Sequence, residues 1–370
     1  MFNRAEYMKK YNKNKKDGKT SNKPDKETND DMKEKVEEKE KVDAIDLEIE
    51  DVPGIGPTKA KQLRENEITS VFDLASTQMD DLAIALGVSK ETAGSFINEA
   101  NKLLRKTGFL NDEWTKATVL YEKRQAVKKI KTGSTALDKV LGGGIETRAV
   151  TEFYGEFGSG KSQICFSACV NVQKPVEEGG LGGNALFIDT EQTFMGDRVW
   201  QIAETKGMDP KNVCDNITVA QVYNSGHLEL LVKNIGQYIT RFNAKLVVID
   251  SITSHFRADY VGRGTLADRQ GRLNQIMHKL VRVASIFEVA IIVTNQVMSA
   301  PDVMFGPTTK PVGGHVLGHA STYRLELKKS GKNRIAYMID SPGHPYASEK
   351  FTVTEAGIVD AEEEKKKNAT

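Results

Sequence analysis

Residues 155–162, Gly155-Glu156-Phe157-Gly158-Ser159-Gly160-Lys161-Ser162, constrain the fold of this chain more than any other stretch. They read G-x-x-x-x-G-K-[ST]. The apolar run Ala149-Val150-Thr151-Glu152-Phe153-Tyr154 enters them, and Gln163 to Val170 leaves with helical, apolar character. A strand, a glycine-rich turn and a helix in that order form a phosphate cradle. The glycines let successive backbone N–H groups turn toward one anion, and the helix adds the positive end of its dipole. Lys161 is expected to reach the β- and γ-phosphates of a nucleotide, and the Ser162 hydroxyl to ligate Mg2+.

Downstream, helical and β-type segments alternate, as a mostly parallel sheet with crossover helices requires. Ala185 to Glu191 is an apolar strand with carboxylates at its C-terminal end, where open α/β sheets bind ligands. Lys245-Leu246-Val247-Val248-Ile249-Asp250-Ser251 repeats that pattern with a Walker B acid, and Val289 to Gln296 repeats it with an amide tip. One Asp after a strand is often a turn former; three polar tips beyond one phosphate loop indicate a site. Tyr323 to Leu327, Arg334 to Ile339 and Phe351 to Thr354 alternate with period two, which predicts antiparallel edge strands.

Composition bounds the rest. The 370 residues suit about two domains, and 52 basic against 51 acidic residues leave a net charge of +1, so any nucleic-acid surface must be local. Three cysteines, Cys165, Cys169 and Cys214, make no disulfide framework or metal knuckle. No apolar run reaches the ~20 residues of a membrane span, so a soluble, cytoplasmic protein without membrane partners is expected.

Residues 1–45 are almost entirely Lys, Glu, Asp and Asn, and such a stretch is expected to be a disordered charged tail. Residues 46–106 then read as a small all-α domain. Within it Val52-Pro53-Gly54-Ile55-Gly56-Pro57 looks like the hairpin of a helix-hairpin-helix motif, with Thr58 as a candidate N-cap of the next helix and Ser89 as that of the last. The Gly54 and Gly56 backbone suits a DNA phosphate, though such a turn also serves protein contacts. Residues 107–120 are a linker holding Trp114 and Ala117, which could dock on their own core or plug a neighbouring subunit. Residues 121–360 are expected to form the core around the phosphate loop, and 361–370 a flexible tail.

Taken together, Gly155 to Gln163, Val247 to Arg257, Asp259 to Gln270 and Thr294 to Val297 resemble the RadA family, archaeal strand-exchange recombinases related to bacterial RecA. The helix-hairpin-helix domain, the Trp-x-x-Ala linker and two loops follow in the family's order. The resemblance implies a RecA-type P-loop ATPase core with a mostly parallel central sheet. It implies a DNA-dependent ATPase that filaments on single-stranded DNA and catalyses homologous pairing and strand exchange in recombination and repair. ATP and Mg2+ are the implied cofactors. Single- and double-stranded DNA, further copies of the chain in a filament or ring, and mediator proteins are the implied partners.

The same resemblance assigns roles. Glu191 would orient or deprotonate the attacking water, Asp250 would hold the Mg2+ shell through water, and Gln296 would sense the γ-phosphate and signal to the loop after it. Arg198 would pack near the adenine, and Asp340-Ser341-Pro342 would cap the nucleotide of an adjacent subunit. The first DNA loop would run from Arg257 to Arg269, with Arg257, Arg263 and Arg269 donating to phosphates and Tyr260 offering a ring. The second would run from Met298 to His315, with Phe305 at its centre and Gly313-Gly314-His315 closing it. His315 and His319 also stand at a metal-ligand spacing on a helix, but no third ligand accompanies them. Gln192, Met195 and Gly196 stand where the family more often has Gly or Asn, Arg and Pro, and Trp114 replaces its usual Phe. Two other readings compete: a paralogue that binds ATP and DNA only as a mediator, and a metabolic P-loop kinase, which has no use for a helix-hairpin-helix domain.

Overall fold

The computed structural model describes residues 47–66, 68–110, 114–260, 262–299 and 309–362. The charged segment before residue 47, Phe305 and the C-terminal residues from 363 therefore lie outside the described residues, as do the side chains of Arg263 and His315.

The N-terminal domain is four helices: α1 (Pro57–Glu65), α2 (Val71–Ser76), α3 (Met79–Leu86) and α4 (Lys90–Lys106). Helix α4 begins where the Ser89 side chain accepts from the Thr92 N–H, and it buries Ala93, Phe96, Ala100 and Leu104 along one face at helical spacing. Helix α1 is capped by Gly56, not Thr58, because Pro57 takes the first helical position, where its missing N–H has no cost. A linker helix, α5 (Ala117–Gln125), follows, and no residue of it is buried.

The core opens with the small hairpin of β1 (Lys129–Ile130) and β2 (Ile145–Glu146), which flank α6 (Thr135–Val140). Strand β3 (Ala149–Gly155), buried at every position, leads into α7 (Lys161–Asn171). Then come β4 (Asn184–Asp189), α8 (Gly196–Thr205), α9 (Pro210–Asp215), β5 (Ile217–Gln221), α10 (Ser225–Lys233) and α11 (Ile235–Arg241). Strand β6 (Ala244–Asp250), α12 (Ser254–Asp259), α13 (Leu266–Ile286), β7 (Ala290–Ser299), β8 (Thr309–Pro311) and α14 (Gly314–Ala320) follow. The chain closes with β9 (Tyr323–Ser330), β10 (Asn333–Asp340), β11 (Ser348–Thr354) and β12 (Gly357–Asp360).

Nine strands lie in the order β12-β11-β10-β9-β3-β7-β6-β4-β5, and β8 pairs with the far end of β7. From β9 through β3 to β5 the pairing is parallel, and from β9 to β12 it is antiparallel. The fold is the expected RecA-type α/β core with a helical N-terminal domain. The three segments expected as antiparallel edge strands, β9, β10 and β11, pair antiparallel with one another but are all interior, the sheet ending at β12 and β5 among the described residues, and β9 is in addition parallel to β3. Its period-two burial, with Tyr323, Leu325 and Leu327 inward, reports only that one face meets the core and is blind to neighbours in the sheet.

Two apolar layers cover the sheet. Helices α7 and α8 supply Ile164, Phe166, Val199 and Ile202 to one, and α10, α11 and α13 supply Leu228, Ile235, Met277 and Leu280 to the other. The buried thiols of Cys165 and Cys169 belong to the first layer, and desolvation raises both far above the ordinary cysteine range. Among the described residues no helix is long and apolar enough to cross a membrane.

Candidate active site

The tips of β3, β4, β6 and β7 meet on one side of the sheet, and each contributes one functional group. Strand β3 delivers the phosphate loop. Gly160 caps α7 at φ 103°, and Gly158 has φ 71°, both in the left-handed region that only glycine enters without strain. At Gly158 a Cβ would also stand 2.8 Å from Lys329 Nζ. Phe157 is 95% exposed, so this position carries no packing constraint. Lys161 Nζ donates to the carbonyls of Gly155 at 2.9 Å and Glu156 at 3.0 Å. Burial lowers its pKa, while the charges of Asp250 and Glu191 act in the opposite sense.

Strand β6 ends in Asp250, which is almost wholly buried. Desolvation raises its pKa, against hydrogen bonding from Ser162 and Thr294. The Thr294 hydroxyl donates to Oδ1, whereas Oδ2 is buried with no hydrogen-bond partner among the described residues. An orphaned carboxylate oxygen beside a phosphate-loop hydroxyl is a donor set that fits a hard divalent cation such as Mg2+. Among the described residues no group of three or more His, Cys, Asp or Glu is arranged to hold a metal, so the donor set here is one carboxylate and one hydroxyl.

Strand β4 presents two carboxylates with different duties. Asp189 accepts from the backbone N–H groups of Glu191 (3.2 Å), Thr193 (3.1 Å) and Phe194 (2.9 Å), so it builds the turn. Glu191 is instead engaged by side chains. Its Oε1 accepts from Ser251 Oγ at 2.7 Å and from Gln296 Nε2 at 2.6 Å. Gln296 Oε1 in turn accepts from Arg257 Nη1 at 3.1 Å. Ser251 and Thr294 were not singled out from sequence; their only signal was adjacency to Asp250 and membership of the polar Thr294-Asn295-Gln296 tip.

Gln192 has φ 55°, a left-handed conformation for a residue with a side chain. That explains why Gly or Asn is more usual there, since both enter this region at lower cost. Arg198 donates through Nε to Gln163 Oε1 at 2.8 Å and also reaches the carbonyls of Thr354 and Glu355, which ties α8 to α7 and to the β11–β12 turn. Burial lowers the Arg198 pKa, with Glu355 opposing. Ser341, in the Asp340-Ser341-Pro342 segment, turns the chain by accepting from the Gly343 and His344 N–H groups.

The loops leave from the same tips. Helix α12 carries Arg257, exposed, one residue beyond the buried Phe256. Tyr260 does not offer two open faces: its ring stacks on Phe256 with centroids 6.0 Å apart, and the Arg272 guanidinium lies 5.8 Å from it. Arg269 is on the first turns of α13 and partly exposed. At the second loop β7 runs on past the sheet, and β8 returns beside it, Val297 opposite Pro311. Gly313, at φ 83°, then caps α14, which begins at Gly314 and includes His315. Asn295 Nδ2 donates to the Val312 carbonyl at 2.7 Å and to Glu152 Oε1 at 2.8 Å, so this returning chain is fastened to the sheet interior.

In the N-terminal domain Gly54 has φ 88°, and a Cβ on it would lie 2.9 Å from the Phe96 ring. The hairpin exposes Pro53, Gly54 and Gly56 while burying Ile55, and Lys59 Nζ donates to the Gly54 carbonyl at 2.9 Å. In the linker Trp114 is 95% exposed, so it is not docked on its own core.

Comparison with known proteins bears on these observations. A family model described as Rad51 matches residues 123–361. Another, described as a SAM-like helix-hairpin-helix tandem, matches residues 46–102. The chain is 45% identical over 318 residues to the "DNA repair and recombination protein RadA" of Cenarchaeum symbiosum (strain A), covering 86% of this chain and 80% of that protein. It is 45% identical over 334 residues to the protein of the same name from Metallosphaera sedula, covering 90% of this chain and all of that one.

Proposed function

The chain belongs to the Rad51 family, and from that premise we propose that it is a DNA-dependent ATPase that assembles on single-stranded DNA and exchanges it into a homologous duplex. One observation carries the reading. The carboxylate that would act on water and an arginine at the entrance of the first loop are joined through a single side chain, Gln296. Such a link gives hydrolysis a physical reason to respond to a strand bound at that loop.

In this reading the phosphate-loop N–H groups and Lys161 hold the β- and γ-phosphates of ATP, and Arg198 with Gln163 borders the nucleoside. Ser162 and, through water, Asp250 would hold Mg2+, which when bound neutralises charge on the phosphates. Glu191 lies at a strand tip beside the same loop, where a carboxylate can orient a water and take its proton. Arg257, Arg263, Arg269, Phe305 and the Gly313-Gly314-His315 turn would meet the single strand, and the Gly54–Gly56 hairpin would contact duplex phosphates. Phosphate contacts of this kind carry no base readout, so sequence preference should be weak.

Assembly follows from the linker. Helix α5 has no buried residue, and Val119, Leu120 and Tyr121 are exposed beside Trp114. Among the described residues strand β5 ends the sheet with one edge uncovered by another strand. An aromatic anchor on one copy and an open sheet edge on the next are a complementary pair.

The test is ATP turnover at saturating ATP and Mg2+, with and without single-stranded DNA. Turnover should rise when the strand is added. Equal turnover in both conditions would leave a nucleotide-binding protein with no DNA-coupled activity.

A further inference from the structure

We propose that Arg257 restrains hydrolysis until DNA binds: it holds Gln296, and through it Glu191, in a contact that a DNA phosphate competes away. The proposal rests on the reading of the chain as a DNA-dependent ATPase and adds to it the side chain that sets the resting rate.

The geometry runs in one direction. The Arg257 guanidinium can only donate, and the Glu191 carboxylate can only accept. An amide between them satisfies both only with its oxygen toward Arg257 and its NH2 toward Glu191, which is the arrangement present: Nη1 to Oε1 at 3.1 Å, then Nε2 to Glu191 Oε1 at 2.6 Å. The opposite rotamer would set donors against donors and acceptors against acceptors. Arg257 therefore fixes which way Gln296 points.

The consequence falls on one oxygen. Glu191 Oε1 receives both the Gln296 amide and the Ser251 hydroxyl, the latter at 2.7 Å. Two donors on Oε1 fix how the carboxylate is turned; Oε2 keeps its lone pairs, and what the contact withholds is the freedom to turn Oε1 toward a water. Ser251 is fixed by the chain that follows Asp250, whereas Gln296 is held by an exposed arginine that can leave.

Arg257 is well situated to leave. Its helix stays anchored without it, through buried Phe256 and through Asp259, whose Oδ2 accepts from the Ser225 N–H at 2.8 Å. The guanidinium alone has to swing. A phosphate offers two or more charged oxygens in the fork geometry that a guanidinium matches, in place of one neutral amide oxygen, so the exchange adds an ion pair and a second hydrogen bond. With Arg257 on a phosphate, Gln296 loses its alignment and the Glu191 carboxylate, held then by Ser251 alone, is free to turn. Arg257 touches neither nucleotide nor water in this scheme; it is a positioning residue.

The sign of the effect separates this from simpler roles. A residue that only contacts DNA would leave DNA-free turnover alone, and a residue that only supports the fold would lower it when lost. The test is ATP turnover of the unmodified protein, Arg257→Ala and Arg257→Lys, first without DNA and then with saturating oligo-dT. Arg257→Ala should raise DNA-free turnover by about 10-fold, roughly the release of one charge-assisted hydrogen bond, and should shrink the stimulation by DNA. Arg257→Lys should raise DNA-free turnover less than Arg257→Ala does, because an ammonium can still donate to the amide oxygen but lacks the guanidinium fork. If DNA stimulates the unmodified protein while Arg257→Ala hydrolyses at the unmodified resting rate or below, the restraint is wrong. If the unmodified protein is itself insensitive to DNA, the DNA-dependent reading falls and takes this proposal with it.

Discussion

Lys161 and Glu191 serve the same pocket in different ways, and the difference is measurable. Lys161 neutralises phosphate charge, so Lys161→Ala should lose nucleotide affinity and turnover together. A carboxylate beside a triphosphate adds like charge and does not favour ground-state binding, so the role proposed for Glu191 is with the water. Glu191→Gln should leave ATP affinity nearly intact while turnover with single-stranded DNA falls by about 10²–10⁴, the usual contribution of a positioned general base. Titration for affinity and steady-state hydrolysis for rate check both halves. Unmodified turnover in Glu191→Gln would redirect attention to Glu156, since Asp189 is consumed by three backbone N–H groups. At this scale the sequence was most legible where chemistry fixes residue type. The glycines of the loop, Lys161, Ser162 and the acids at strand tips are such positions. Contacts between side chains distant in sequence were illegible: nothing in the order of residues joins Arg257 to Gln296, or Thr294 to Asp250. Nor could pattern alone reveal that Gln192 sits at φ 55°, a conformation of order 1–3 kcal/mol in cost.

Among the elements, the linker helix α5 is the one that local folding leaves unexplained. Periodicity detects a helix by its apolar stripe, and α5 has no inward face, so residues 117–120 read as connector and 121–125 as the start of the core, with no helix across that boundary. The same reason hides β8, three residues whose pairing with β7 depends on the chain returning from the second loop. Helices with buried faces and side-chain caps, such as α4 behind Ser89, were legible because two independent signals agree. For α5 the exposed Trp114 makes a specific claim about assembly. A buried aromatic anchor carries ~2 kcal/mol or more of an interface. Trp114→Ala, or Ala117→Glu with a charge at the contact, should therefore shift the protein toward monomers in light scattering. Unchanged particle size for both variants would remove the linker from the interface.

Across the whole molecule the charge balance is nearly neutral, at +1, so its proposed attraction to DNA depends on where a few arginines are held. The helical domain and the ATPase core belong to one compact unit and meet through α13: Lys279 Nζ pairs with Asp73 at 3.0 Å and bonds Ser76 at 3.1 Å, and Arg282 donates to Asn101. The hairpin proposed to meet duplex phosphates is thereby carried on the same body as the phosphate loop. This arrangement suits a protein that handles two DNA molecules at once. The most direct measurement is strand exchange between a labelled single strand and a duplex, in the presence of ATP and Mg2+. The account predicts release of the displaced strand from a homologous duplex, none from a heterologous one, and none with Lys161→Ala. ATP hydrolysis stimulated by single-stranded DNA, with no strand released from the homologous duplex, would contradict it and leave a mediator that binds without exchanging.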